Sequence, residues 1–183
     1  MSIPYPEIHG TTILGLIHND EAALGGDGQV TFGNTIMKQK SRKIRLMYND
    51  TILAGFAGAS ADAFTLFERF EEKLERYSGN ITKSAVELAK DWRTDKYLRR
   101  LEAMLAVMDT RNALIISGTG DVVEPDDQIL SIGSGGSFAL AAARAMIDSS
   151  KSSAEEIVRK SLEIAADICI YTNKNIEIEA LKK

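Results

Sequence analysis

The sequence predicts an α+β fold in which two antiparallel sheets lie face to face and helices cover both outer faces. Three observations lead there. The elements read in the order strands, two helices, strands, two helices, strand, without the regular βαβ alternation of a parallel α/β sheet. The strands are joined mostly by hairpin-length turns, the natural link between antiparallel neighbours. No long linker or charge block divides the 183 residues, so one domain is expected.

Each element follows from its own pattern. Thr12–Ile17 is an apolar run, His18–Glu21 a polar turn and Ala22–Leu24 a second arm, so a hairpin is expected that ends in Gly25-Gly26-Asp27-Gly28. Val30–Met37 is ambiguous between strand and loop. Lys43–Met47 alternates, Asn49-Asp50 turns the chain, and Thr51–Phe56 returns as a second hairpin. The small residues Ala57-Gly58-Ala59 follow, where backbone must pass close to something. Ser60 is an N-cap candidate for a helix with apolar residues at Ala63, Phe64, Phe67, Phe70 and Leu74. Gly79-Asn80 stops it, and Thr82 is the cap candidate for a helix carrying Ala85, Val86, Leu88, Ala89 and Trp92. The charged stretch Arg93–Arg100 leads to strands at Ala103–Val107 and Leu114–Ser117, a turn at Gly118–Asp121, and the short pair Val122-Val123. Pro125-Asp126-Asp127 turns again, and Ile129–Ile132 runs into Gly133-Ser134-Gly135-Gly136. An alanine-rich helix is expected over Ser137–Ile147. Ser153 with Glu156 forms a capping box for a last helix through Ile157, Leu162, Ile164, Ala165 and Ile168, and Ile176–Leu181 reads as a final edge strand.

Composition narrows the function. Apolar residues make up 44% and charged residues 26%, as in a folded soluble protein. The net charge of −4 and the lack of aromatics interleaved with basic residues argue against nucleic-acid binding. No stretch is long and apolar enough for a transmembrane helix, and the first ten residues have neither the basic nor the apolar region of a secretory signal. A cytoplasmic location is therefore expected, and the single Cys169 suits a reducing compartment. His9 and His18 are the only histidines, which leaves no zinc cluster and no serine–histidine machinery. Gly133–Gly136 lacks the lysine–hydroxyl ending of a phosphate loop, and Gly118-x-Gly120 lacks the third glycine of a dinucleotide fingerprint.

What remains is Thr11-Thr12 behind Gly10. A threonine exposed at a new N-terminus carries its own base, because its α-amine can take the proton of its hydroxyl. Removal of residues 1–10 would make Thr11 such a residue, with residues 11–183 as the working domain. Three polar positions fit around it. Asp27 sits in a glycine turn, where an Asx-turn is the ordinary explanation. Lys43 opens an alternating strand among Lys38, Lys40, Arg42 and Arg45, where a solvated basic face is ordinary. Ser134 lies between glycines at a strand-to-helix turn, where it is ordinarily a cap. The functional reading joins them: an ammonium stabilises the developing alkoxide, a carboxylate holds the ammonium, and backbone N–H groups hold an oxyanion.

At these residues the chain resembles a known family. Thr-Thr-Ile at 11–13, Gly-Asp-Gly-Gln-Val-Thr at 26–31 and Gly-Asn-Thr at 33–35 are similar to the proteolytic subunits of the bacterial two-component, ATP-dependent, proteasome-like protease, the HslV (ClpQ) family. So are Ala-Gly-Phe-Ala-Gly at 54–58, Ala-Asp-Ala-Phe-Thr-Leu-Phe-Glu at 61–68, Ala-Val-Glu-Leu-Ala-Lys-Asp-Trp-Arg at 85–93, Ile-Gly-Ser-Gly-Gly at 132–136 and Asp-Ile-Cys-Ile-Tyr-Thr-Asn at 167–173. The resemblance implies a four-layer αββα sandwich of the N-terminal nucleophile hydrolase type and a threonine endopeptidase. It implies Thr11 as nucleophile after loss of a ten-residue propeptide, Asp27 and Lys43 as the acid and lysine, Ser134 as a proton-handling serine, and the Gly55 N–H as oxyanion donor. No cofactor is implied for the chemistry. A monovalent cation, Na+, is implied on the backbone carbonyls of Ala166, Cys169 and Thr172, although Ala166 stands where relatives often have glycine. The implied assembly is a homo-hexameric ring stacked as a dodecamer, capped and allosterically activated by a hexameric AAA+ ATPase unfoldase that feeds in unfolded polypeptide. A small-amide hydrolase of the same fold and a non-catalytic ring subunit are the rival readings.

Overall fold

The computed structural model describes residues 8–58, 60–101, 103–148 and 151–183. Residues 1–7, most of the expected propeptide, lie outside the described residues. The strands are β1 (Ile8–His9), β2 (Thr12–His18), β3 (Glu21–Gly26), β4 (Val30–Phe32), β5 (Thr35–Lys38), β6 (Ile44–Met47), β7 (Ile52–Ala57), β8 (Met104–Met108), β9 (Ala113–Ser117), β10 (Val122–Val123), β11 (Ile129–Gly133) and β12 (Glu177–Lys182). The helices are α1 (Ser60–Arg76), α2 (Ile81–Thr94), α3 (Gly136–Ile147) and α4 (Ala154–Ile168), with a 3-10 turn at Leu98–Arg100.

Two large antiparallel sheets form the centre, ordered β10-β9-β8-β7-β6 and β11-β2-β3-β12. Three apolar cores separate four layers. Met47, Ala54, Phe56, Leu105 and Val107 meet Phe70, Leu88 and Trp92 of α1 and α2 in the first core. Leu53, Ala106 and Met108 meet Ile13, Leu24 and Leu130 between the sheets. Leu14, Leu16 and Ala23 meet Ala139, Val158 and Leu162 of α3 and α4 in the third. The arrangement is the expected αββα sandwich. Alternation along β2 and β7 divides their side chains between two cores, so these strands read as unbroken apolar runs rather than alternating ones.

The described residues also resolve the ambiguous stretch. Val30–Phe32 and Thr35–Lys38 form a hairpin around Gly33-Asn34, and β1 adds to its outer edge with Ile8 opposite Phe32 and His9 opposite Thr31. The expected second arm Ala22–Leu24 extends to Glu21–Gly26, pairing with β2 on one side and β12 on the other. Helix α2 is capped two residues earlier than expected, since Asn80 Oδ1 accepts from the Lys83 N–H. Both halves of the capping box at Ser153 and Glu156 are present. Among the described residues no helix is long and apolar enough to cross a membrane.

Candidate active site

The site forms where β2 begins, flanked by β11 and β3. Gly133 lies opposite Thr12, and Ile13 lies opposite Gly26. Thr11, just outside β2, is held by its backbone, its carbonyl accepting from the Ser134 N–H at 2.8 Å. Gly133 makes this approach possible: its φ is +91°, and a Cβ there would lie 2.0 Å from Thr11 O. The glycine-rich turn thus serves the backbone of Thr11, and the exposed Ser134 sits beside it.

The two threonines differ sharply. The Thr12 hydroxyl is fully buried, accepts from the Gly135 N–H at 2.9 Å and shares a hydrogen bond with the Thr172 hydroxyl at 2.7 Å. The Thr11 hydroxyl faces the preceding peptide instead and donates to Gly10 O at 2.7 Å. Thr12 is committed to packing, whereas Thr11 points at the bond that would have to be cut.

Asp27 and Lys43, which the resemblance implied as the acid and the lysine, lie in contact. Lys43 Nζ donates to Asp27 Oδ1 at 2.8 Å, to Gln29 O at 2.6 Å and to Gly10 O at 2.6 Å. All three donors of an ammonium are thereby used, leaving no lone pair to act as a base. Burial pushes the Lys43 pKa below its ordinary value, and the Asp27 carboxylate opposes that shift. Asp27 is 1% exposed, and both its oxygens are satisfied. Oδ1 also accepts from the Thr12 N–H at 2.8 Å, while Oδ2 accepts from the N–H groups of Gln29 at 2.9 Å and Asn173 at 3.3 Å.

Gly10 O therefore receives two donors, the Lys43 ammonium and the Thr11 hydroxyl. A cavity of about 460 Å³ adjoins it, lined by Gly10, Thr11, Arg45, Phe56, Gly58 and Phe67 among others. The Arg45 guanidinium lies 5.0 Å from the ring centres of both Phe64 and Phe67.

Gly55 is placed differently from the other candidates. It lies within β7, opposite Ile44 on β6 and Ala106 on β8. The Phe56 N–H donates to Lys43 O on the β6 side, so alternation sends the Gly55 N–H toward β8. Its Cα faces Ile13 and Leu24 in the core between the sheets, and it does not line the cavity. Gly58, just past the end of β7 with φ of +147°, does line it. The run of small residues at 57–59 was the available signal for Gly58.

Ala166 lies in the last turn of α4, Cys169 caps that helix and Thr172 follows in the loop. Cys169 O accepts from the Thr172 N–H at 3.0 Å. The last carbonyls of a helix lack intrahelical donors, so this donor set consists of backbone oxygens at a negative helix end. That chemistry fits a monovalent cation. Among the described residues no group of three or more His, Cys, Asp or Glu side chains is placed to hold a metal ion.

Gln29, Thr172 and Asn173 belong to the site and were not singled out for side-chain roles by the sequence. Gln29 Nε2 donates to Ile170 O at 2.8 Å and to Thr31 Oγ1 at 3.0 Å, tying the Asp27 loop to the segment after α4. All three fall within motifs quoted above, Gln29 at 26–31 and Thr172 and Asn173 at 167–173, but their side-chain partners lie elsewhere in the chain, where no local pattern signals them.

Residues 8–181 match the family model for the proteasome subunit. The chain is similar to the crystal structure of eukaryotic HslV from Trypanosoma brucei, with 46% identity over 94% of this chain and 99% of that one and a TM-score of 0.89. It also shares its fold with Thiobacillus denitrificans BPH, free (TM-score 0.71) and in complex with epoxomicin (TM-score 0.72). Both match at 15% identity over 93% of this chain, and over 97% and 98% of those chains respectively.

Proposed function

The chain belongs to the proteasome subunit family as an HslV-type proteolytic subunit, a threonine endopeptidase, and on that premise we propose that it gains its activity by cutting itself between Gly10 and Thr11. The observation that carries this reading is the Gly10 carbonyl, on which the Lys43 ammonium and the Thr11 hydroxyl both converge. Lys43 polarises the carbonyl. The Thr11 oxygen bonds to the Gly10 carbonyl carbon, the carbon–nitrogen bond breaks, and the proton given up by the hydroxyl ends on the released nitrogen. Water then hydrolyses the ester, releasing residues 1–10 with a terminal carboxylate and leaving Thr11 with a free amine.

In the mature enzyme that amine accepts the Thr11 hydroxyl proton as the oxygen attacks a substrate carbonyl. The Lys43 ammonium, fixed by Asp27, steadies the developing charge. The oxyanion donor we favour is the Gly58 N–H rather than that of Gly55, because Gly58 lines the cavity and Gly55 is engaged in the sheet. An acyl-threonine ester forms, the amine product leaves, and water completes hydrolysis. Ser134, beside Thr11, assists the proton transfers.

The wider role follows the same premise. We assign the chain to the proteolytic core of an ATP-dependent protease: a hexameric ring stacked as a dodecamer in the cytoplasm, fed with unfolded polypeptide and activated by an AAA+ unfoldase. Should a monovalent cation such as Na+ be part of the mature enzyme, the carbonyls of Ala166, Cys169 and Thr172 would hold it. Its contribution would be to fix the loop that carries Thr172 and Asn173.

One experiment tests the core of this reading. Intact-mass measurement of the purified active protein should show loss of residues 1–10. Thr11→Ala should keep them and lose peptide hydrolysis by roughly a thousandfold or more, as removal of a nucleophile does. Active protein that retains its first ten residues, or a Thr11→Ala variant cleaving at the parental rate, overturns it.

A further inference from the structure

We propose that Asn173 is a positioning residue whose side-chain amide fixes the Asp27 loop against the segment leading into Lys43. This rests on the reading that Asp27 and Lys43 serve Thr11. The two segments run close together. A Cβ on Gly28 would lie 2.5 Å from Gln39 O, and the Ser41 N–H donates to Gly28 O at 2.9 Å. Beside that bond the Asn173 carboxamide bridges the same two backbones. Its Oδ1 accepts from the Gly28 N–H at 3.2 Å, and its Nδ2 donates to Gln39 O at 2.9 Å.

The amide stands where a peptide unit of a sheet would stand, offering an acceptor to one chain and a donor to the other. The reverse orientation would set an NH2 against an N–H and an oxygen against a carbonyl, so the orientation is fixed by its partners. Two further bonds fix Asn173 itself. Its N–H donates to Asp27 Oδ2 at 3.3 Å, and the Asn175 N–H donates to its Oδ1 at 3.1 Å.

Residues 39–43 belong to no strand, lying between the end of β5 and the start of β6. The carboxylate and ammonium therefore ride on two irregular segments, and Asn173 splices those segments together. It touches no reacting atom, so its effect on catalysis runs through the Asp27–Lys43 geometry. The charged groups around Lys43 are Asp27 in the β3–β4 loop and the cations Lys38, Arg42 and Arg45 around the cavity. Thr11 would add an α-amine after processing.

The test compares Asn173→Asp and Asn173→Ala with the parent, as full chains, by hydrolysis of a fluorogenic peptide across pH. Asn173→Asp keeps the acceptor for Gly28 but sets a carboxylate against Gln39 O. Both variants should lose roughly 10- to 100-fold in kcat with KM changed less than twofold, the cost of misplacing a catalytic group by about an ångström. In Asn173→Asp the alkaline limb should also move to higher pH, because an added negative charge nearby favours the Lys43 ammonium. A role confined to folding would lower the melting temperature and leave the kcat of folded Asn173→Ala at the parental value.

A second readout needs no activity. In a Thr11→Ala background carrying 13Cε-lysine, with the signal assigned through Lys43→Met, the Lys43 titration should move upward when Asn173→Asp is added. Unchanged kcat, or an unmoved Lys43 titration, overturns the proposal. Because the titration is read in a catalytically silent chain, failure of the peptidase reading and failure of this one give different results.

Discussion

Lys43 carries a conflict between stability and chemistry within one side chain. It is 8% exposed, and its ammonium is held by Asp27 and two backbone carbonyls. Desolvation places its folded pKa below 10.5, the ordinary lysine value that its unfolded form keeps. Between those two values the unfolded chain binds more protons, so the contribution of Lys43 to stability grows as pH rises and is lost as pH falls through the folded pKa. In the proposed mechanism activity runs the other way, because there the ammonium is the useful form. The peptidase rate should therefore fall on an alkaline limb below pH 10.5, and a kcat profile flat to that pH would refute the dominance of burial. Lys43→Ala should abolish most turnover and also destabilise the fold by about 3–5 kcal/mol in urea unfolding, since it leaves the Asp27 carboxylate buried without its partner. Asp27 and Lys43 were legible as residues because each stands at a recognisable turn or strand start. The side-chain roles of Asn173, Gln29 and Thr172 were not, because they depend on partners across the fold. Gly55 was misjudged for a related reason: a string of letters does not say which peptide of an apolar strand has its N–H spent in a ladder.

At the level of elements, the contrast between β2 and the β4–β5 hairpin is instructive. Strands β2, β3 and β7 are buried on both faces and read plainly as apolar runs. The hairpin resisted assignment because β5 is exposed throughout and β4 is only three residues long, so no burial pattern marks either. Yet this hairpin receives β1 and so places the peptide before Thr11. Gly10 adopts φ of +134°, and a Cβ there would lie 2.7 Å from Gln29 O. Gly10→Ala should thus displace the Gly10 carbonyl from Lys43 and slow removal of residues 1–10 by roughly 10- to 100-fold, the penalty of a misaligned near-attack geometry. A time course of intact mass after synthesis measures it, and processing at the parental rate would show that the junction does not need glycine.

For the molecule as a whole, three cores must close together, and the middle one leaves no room for an added side chain at Gly15. Gly15 of β2 lies in the space between the sheets, where a Cβ would come within 2.7 Å of both Leu24 Cδ1 and Met108 Sδ. Gly15→Val should force the sheets apart at a cost of about 1–3 kcal/mol. That is readable as a lower urea midpoint with an unchanged m-value, and an unchanged midpoint would mean that the core between the sheets absorbs the extra carbons. The layer order was legible from the sequence of elements. The close approach of the sheets was not, since a glycine in a strand looks the same whether it faces a turn, a ligand or another sheet.

The position of Thr11 at the head of β2 has a consequence in time. Its carbonyl is anchored by the turn after β11, its neighbour Thr12 by the loop after α4, and Asp27 by that same loop. These partners lie more than a hundred residues after Thr11 in the chain, so they leave the ribosome well after it. A nascent chain lacking them has no arrangement with which to sever its own leader. Under the self-cleavage proposed above, the cut becomes a check on folding: Thr11 is freed only once segments distant in the chain have closed around it.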